Sequence, residues 1–139
     1  MTITRHKDSH LDHALTQEQI KFILNLDARE IQTIQLPEHL GLVPCGLHGP
    51  LMGDEPVPES EVTYAVRGER RGKSRLVDRI VRTTRMVTVI AGPHDGLPCV
   101  LFTAFGGPLT PKEPFDFDYH ESEEAQVSRR FWEQHALSL

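Results

Sequence analysis

Thr84-Arg-Met-Val-Thr-Val-Ile-Ala91, Gly92-Pro-His-Asp-Gly96 and Pro98-Cys-Val-Leu-Phe-Thr-Ala-Phe105 read as two strands joined by a hairpin loop. Val87, Val89 and Ala91 alternate, as do Val100, Phe102 and Ala104, and the glycine-bounded segment between them carries turn residues. Two further strand-like pieces precede this pair, Glu61 to Arg67 and Ser74 to Arg82, again with short connections. Short connections favour antiparallel neighbours, so the expectation is a four-stranded antiparallel meander.

On the N-terminal side, Leu15-Thr-Gln-Glu-Gln-Ile20 is a helix start. Thr16 is placed to cap the Gln19 amide while Gln19 reaches back, Leu15 can staple onto Ile20, and Ile20, Ile23 and Leu24 form a stripe at helical spacing. Asp27-Ala-Arg-Glu30 repeats the capping pattern, which predicts a second short helix carrying Ile31 and Ile34 inward and stopping before Pro37. Residues 37–60 are so dense in Pro and Gly that they predict a long loop, packed along the domain through Leu42, Val43, Leu47, Leu51 and Met52. Beyond the strands, Ser122 caps a final helix whose apolar side is Val127, Phe131, Trp132 and Ala136. The expected fold is α+β, with N-terminal helices, an antiparallel four-stranded sheet and a C-terminal helix in a single domain over residues 1–139.

The composition excludes several classes. With 38% hydrophobic and 25% charged residues in 139, the chain is too apolar for a disordered segment, and it has no apolar run long enough to cross a membrane. No signal-like stretch opens it, so the cytoplasm is the expected compartment. Cys45 and Cys99 are too few for a disulfide framework or a four-cysteine zinc site and suit a reducing environment, although a single bridge between them stays open.

A net charge of −5 argues against a protein that coats nucleic acid non-specifically. The charge is unevenly spread. Residues 67–85 hold eight basic and two acidic side chains, a local +6 that leaves −11 on the other 120 residues. Such a focus suits an anion, and strand periodicity puts Arg75 and Arg79 beside Val77 and Val81. An arginine on that face needs either a neighbouring carboxylate or a substrate phosphate in its guanidinium fork. Lys73, Arg75, Arg79 and Arg82 are therefore the candidate phosphate-binding residues.

Eight histidines are present, among them His10 and His13 in Ser9-His-Leu-Asp-His13. An imidazole exchanges protons near neutral pH, which makes His10 and His13 candidates for general acid–base chemistry. The same pair could begin a metal site, but no HExxH, CxxC or HxH spacing completes one, so no metal or other cofactor is expected. Thr103 is the lone hydroxyl in an otherwise apolar strand, where it could position a substrate.

The order of these features resembles the barnase/EndoU/colicin/RelE-like group of small metal-independent ribonucleases. The resemblance is carried by Ser9-His-Leu-Asp-His13, Gly72-Lys-Ser-Arg-Leu76 and Val100-Leu-Phe-Thr-Ala-Phe105, and covers roughly residues 9–106. It implies His10 or His13 as base or acid, Lys73 and Arg75 as phosphate ligands, and Thr103 as a positioning hydroxyl. The acidic overall charge and the long Pro/Gly loop depart from that group. Three functions follow: an endoribonuclease acting on RNA, a binding domain whose basic strands take an acidic protein or a small anionic ligand, and a histidine-built metal hydrolase.

Overall fold

The computed structural model describes residues 3–11, 14–27, 31–68, 72–113 and 122–139, with the side chains of 6–11 left aside. Two compact units emerge, one formed by Met1–Cys45 with Thr83–Leu109 and the other by Gly46–Arg82 with Thr110–Leu139. The fold is α+β, but its sheets are mixed and several, in place of the single antiparallel meander predicted from the sequence.

Unit 1 opens with a strand, β1 (Thr4–Leu11), where the sequence predicts a polar lead-in to helices. Helix α1 (Gln17–Leu24) follows and has the predicted capping box. Thr16 Oγ1 accepts from the Gln19 amide at 3.2 Å, and Gln19 Oε1 accepts from the Thr16 amide at 2.9 Å. Ile20 and Ile23 are buried on its inner side. The predicted second helix is instead β2 (Gln32–Gln35), with Ile31 half exposed and only Ile34 turned to the core. Alternating burial along Gln32–Gln35 matches a strand period, and Thr33 Oγ1 meets Thr88 Oγ1 at 3.0 Å across the pair. Residues 28–30, which hold part of the expected cap, lie outside the described chain.

Two long strands, β8 (Met86–His94) and β9 (Leu97–Gly106), form the predicted hairpin. The turn is tighter than expected. It consists of Asp95 and Gly96, whose φ values of 47° and 77° give the mirror-image turn that fits twisted strands. Pro93, which lacks an N–H, falls where the register between the strands shifts. The sheet order is β1-β9-β8-β2, with β1 parallel to β9 and the other pairs antiparallel. Its core joins Ile3, Leu15, Ile20 and Ile23 to Leu36, Val87, Val89 and Leu101.

The Pro/Gly stretch is not a plain loop. It contains β3 (Val43–Cys45), β4 (Leu47–His48) and three short 3₁₀ turns. Val43, Cys45 and Leu47 are buried, whereas Leu42 and Leu51 are about half exposed, so only part of the expected packing occurs. Strand β3 pairs with β7 (Arg82–Thr84).

Unit 2 is built on β5 (Val62–Ala65), β6 (Ser74–Val77), helix α2 (Glu123–Trp132) and β10 (Ala136–Ser138). The predicted strand 74–82 stops at Val77 and resumes as β7. Ser122 caps α2 as expected by accepting from the Ala125 amide at 3.2 Å. On α2 Trp132 is buried and Val127 is exposed, while Ala136 belongs to the following strand. The sheet order is β4-β10-β6-β5, in which β10 runs parallel to β6 and antiparallel to β4.

Two substitutions probe unit 1. Thr16→Ala should lower the unfolding free energy by about 1 kcal/mol through loss of the cap. Gly106→Ala should cost about 1–3 kcal/mol, because a Cβ there meets the Pro44 carbonyl oxygen and Val43 Cγ2. Urea denaturation of each variant against wild type measures both.

Candidate functional site

Arg75 is the most constrained of the candidate residues. It lies on β6, only 3% exposed, and its guanidinium is surrounded by acceptors. Nε donates to the His135 carbonyl at 3.1 Å, and Nη2 donates to the Val57 and Glu133 carbonyls at 3.0 and 3.3 Å. Nη1 donates to Tyr64 Oη at 3.1 Å and to the Glu59 carboxylate, while Tyr64 Oη donates to Glu59 Oε1 at 2.7 Å. Five donors meet five acceptors, so protein groups occupy the whole fork. The hydrogen bonds from Tyr64 and Arg75 hold the Glu59 carboxyl below its ordinary range.

Arg79 and Arg82 are likewise paired within unit 2. Arg79 Nη2 lies 2.7 Å from Glu61 Oε2, and Arg82 pairs with the Asp54 carboxylate. Arg67 joins them through Glu113 Oε1 at 2.5 Å, with Ser74 Oγ donating to the other oxygen of that buried carboxylate. Lys73, just before β6, is exposed. Four carboxylates thus engage the basic stretch. Of the two partners foreseen for its arginines, the carboxylate is the one present for Arg75, Arg79 and Arg82.

Beside Arg82 sits a constellation that the sequence reading missed. His48 Nε2 is 2.8 Å from Ser138 Oγ, and His48 Nδ1 is 3.2 Å from Arg82 Nη2. Arginine only donates, so Nδ1 must accept and Nε2 carries the proton, which goes to Ser138 Oγ. Ser138 Oγ in turn donates to the Gly46 carbonyl at 3.3 Å. The polarity is opposite to that of a histidine activating a serine nucleophile, whose imidazole must accept the hydroxyl proton. The arrangement fastens β10 to β4. No sequence signal marks it, since His48 and Ser138 are 90 residues apart.

Unit 1 holds the other candidates. Thr103 is half-buried on β9, and its register partner on β1 is His10. His13 lies outside the described residues, as does the His10 side chain. Thr88, buried on β8, donates to the Gly107 carbonyl at 2.8 Å and serves the sheet. Cys45 and Cys99 are both buried, and no disulfide joins them. Among the described residues no three His, Cys, Asp or Glu side chains gather as metal ligands, and no helix is long and apolar enough to cross a membrane.

Arg75→Leu should destabilise the protein by about 3–5 kcal/mol, because three carbonyls and a carboxylate lose their donor. Glu59→Gln, at a largely exposed acceptor, should cost far less; chemical denaturation compares the two.

The pH dependence follows from His48 and Asp54. Burial, and then the Arg82 charge, hold His48 below its ordinary value. The unfolded chain therefore binds a proton at about pH 6.5 that the fold refuses, and stability falls as pH drops below that point. Asp54 is held low by the Gly49 amide and by Arg82, so its contribution is present above the ordinary carboxylate range and is lost as pH falls through its folded value. Urea unfolding between pH 7.5 and 5.5 should show the first loss in wild type and a flatter profile in His48→Gln.

Comparison with protein-family models, with curated proteins and with solved structures finds no match to this chain.

Proposed function

We propose that the protein cleaves RNA without a metal, by general acid–base catalysis centred on unit 1. The observation that carries this reading is the register of β1 against β9, which sets His10 opposite Thr103. Two residues chosen for separate chemical reasons, and 93 positions apart in the chain, thereby become neighbours. His13, three residues further on, supplies the second imidazole.

The chemistry asks little more. One imidazole takes the proton from a ribose 2′-hydroxyl, the 2′-oxygen attacks phosphorus, and the other imidazole protonates the departing 5′-oxygen. The product is a 2′,3′-cyclic phosphate. Thr103 positions a phosphate oxygen through its hydroxyl. Docking of an acidic protein or a small anionic ligand on the basic strands has less support, because Arg67, Arg75, Arg79 and Arg82 are engaged by carboxylates.

The test is incubation with labelled RNA in excess EDTA, with analysis of product ends. Wild type should release cyclic-phosphate ends, and His13→Ala and His10→Ala should each slow cleavage by about 10²- to 10⁴-fold. Thr103→Val should slow it less. Cleavage that requires added metal, or none under either condition, overturns the reading.

A further inference from the structure

Two buried histidines cross between the same two stretches of unit 2, in opposite directions. His48, on β4, reaches Ser138 on β10 through Nε2 at 2.8 Å. His135, just before β10, reaches back to the turn that follows β4, where its Nε2 accepts from the Leu51 amide at 2.9 Å. The two residues are 4% and 5% exposed. Together they tie residues 46–51 to the C-terminal strand, beside a β4–β10 ladder of two residue pairs.

Each ring accepts from a group that can only donate. Arg82 Nη2 donates to His48 Nδ1 at 3.2 Å, and the Leu51 amide donates to His135 Nε2. The two tautomers are therefore opposite: His48 carries its proton on Nε2, whereas His135 carries it on Nδ1 and donates to the Phe131 carbonyl at 2.7 Å. A second proton on either ring sets N–H against N–H and removes a bond. His135 has no space to turn aside, since it stacks on Phe131 at 3.9 Å between centroids and a Cβ on Gly49 would lie 2.6 Å from its Cδ2. The charges facing His48 are Arg82 and Arg79, which oppose a proton, and Asp54, which favours one. On the His135 side the charged neighbour is Arg75, whose Nε donates to the His135 carbonyl. Arg82 Nε is buried with no hydrogen-bond partner among the described residues, so water admitted beside His48 satisfies a donor that the closed form leaves unpaired.

We propose that His48 and His135 form an acid-released latch: in mild acid both rings take a proton, and residues 46–51 swing away from β10 while the rest of unit 2 stays folded. Arg75 holds the His135 backbone in place, so the segment after β3 is the part that moves. Its far end remains fastened by the pair of Arg82 with Asp54. That pair survives the change, because the Gly49 amide and Arg82 keep the Asp54 carboxyl low enough to stay ionised where imidazoles titrate. Opening strips β10 of its partner on one side and makes it the edge of the remaining sheet β10-β6-β5. The device lies wholly in unit 2 and is independent of the ribonuclease reading, which is centred on unit 1.

Native-state amide exchange, read by NMR and corrected for the intrinsic rate at each pH, tests the latch residue by residue. The Ser138 amide donates to the Gly46 carbonyl on the β4 side, whereas the next amide, Leu139, donates to the Val77 carbonyl on the β6 side. Between pH 7.5 and 5.5 the protection of Leu51 and Ser138 should fall about 100-fold, roughly tenfold for each ring proton taken up, while Leu139 and the β5–β6 amides keep theirs. The fall should shrink to about tenfold in His48→Gln and in His135→Gln, whose side-chain amides accept without titrating. Equal loss at Leu51 and across β5–β6 is global unfolding and overturns the latch, as does protection that stays level in wild type or falls no further there than in the variants. Ring ¹⁵N shifts of wild type at pH 7.5 give a reading that no misfolded variant can spoil. His48 should be protonated on Nε2 and His135 on Nδ1, and any other pair of tautomers overturns the proposal.

Discussion

A guanidinium cannot give up its proton inside a protein, so wherever Arg75 is buried the chain must bring acceptors to all five of its N–H groups. In unit 2 that requirement gathers residues from four places: Val57, Glu59 with Tyr64, Glu133 and His135. The apolar cluster of unit 2 around Val57, Val77 and Ala136 is small. Fixed polar geometry therefore carries much of the work of specifying how α2, β10 and the turn at Glu59 meet β6. A buried charge of this kind need not add net stability over an apolar substitute, but it tolerates few alternative arrangements.

The same logic extends along the basic stretch. Arg67 with Glu113, Arg82 with Asp54 and Arg79 with Glu61 repeat the theme at increasing exposure, and their contribution should decline in that order as water screens them. A local +6 in the sequence thus becomes a series of internal ties.

What could be read from the sequence was what local chemistry determines. The Thr16 capping box, the Ser122 cap and the β8–β9 hairpin all rest on residues a few positions apart, and all three are present. Strand β1 escaped because an edge strand needs little apolar alternation, and its polar, histidine-rich composition gave no strand period. The segment Gln32–Gln35 misled because Asp27 and Glu30 imitate a helix cap, while the antiparallel partner that makes it a strand lies more than 50 residues away. The insertion of β10 between β4 and β6 is equally distant in the chain. At the candidate site, His10 and Thr103 could be named from residue type, but their adjacency depends on a parallel pairing that no short-range pattern announces.

The placement of the two cysteines has a practical side. Both thiols are buried in unit 1, with Cys45 packed where a side chain on Gly107 would strike its sulfur, and unit 2 contains no cysteine at all. A thiol reagent added to the native protein can therefore react only when unit 1 opens. The chain carries a built-in, unit-specific clock for local unfolding, one that needs no engineered label and is silent to motions confined to the arginine-tied half.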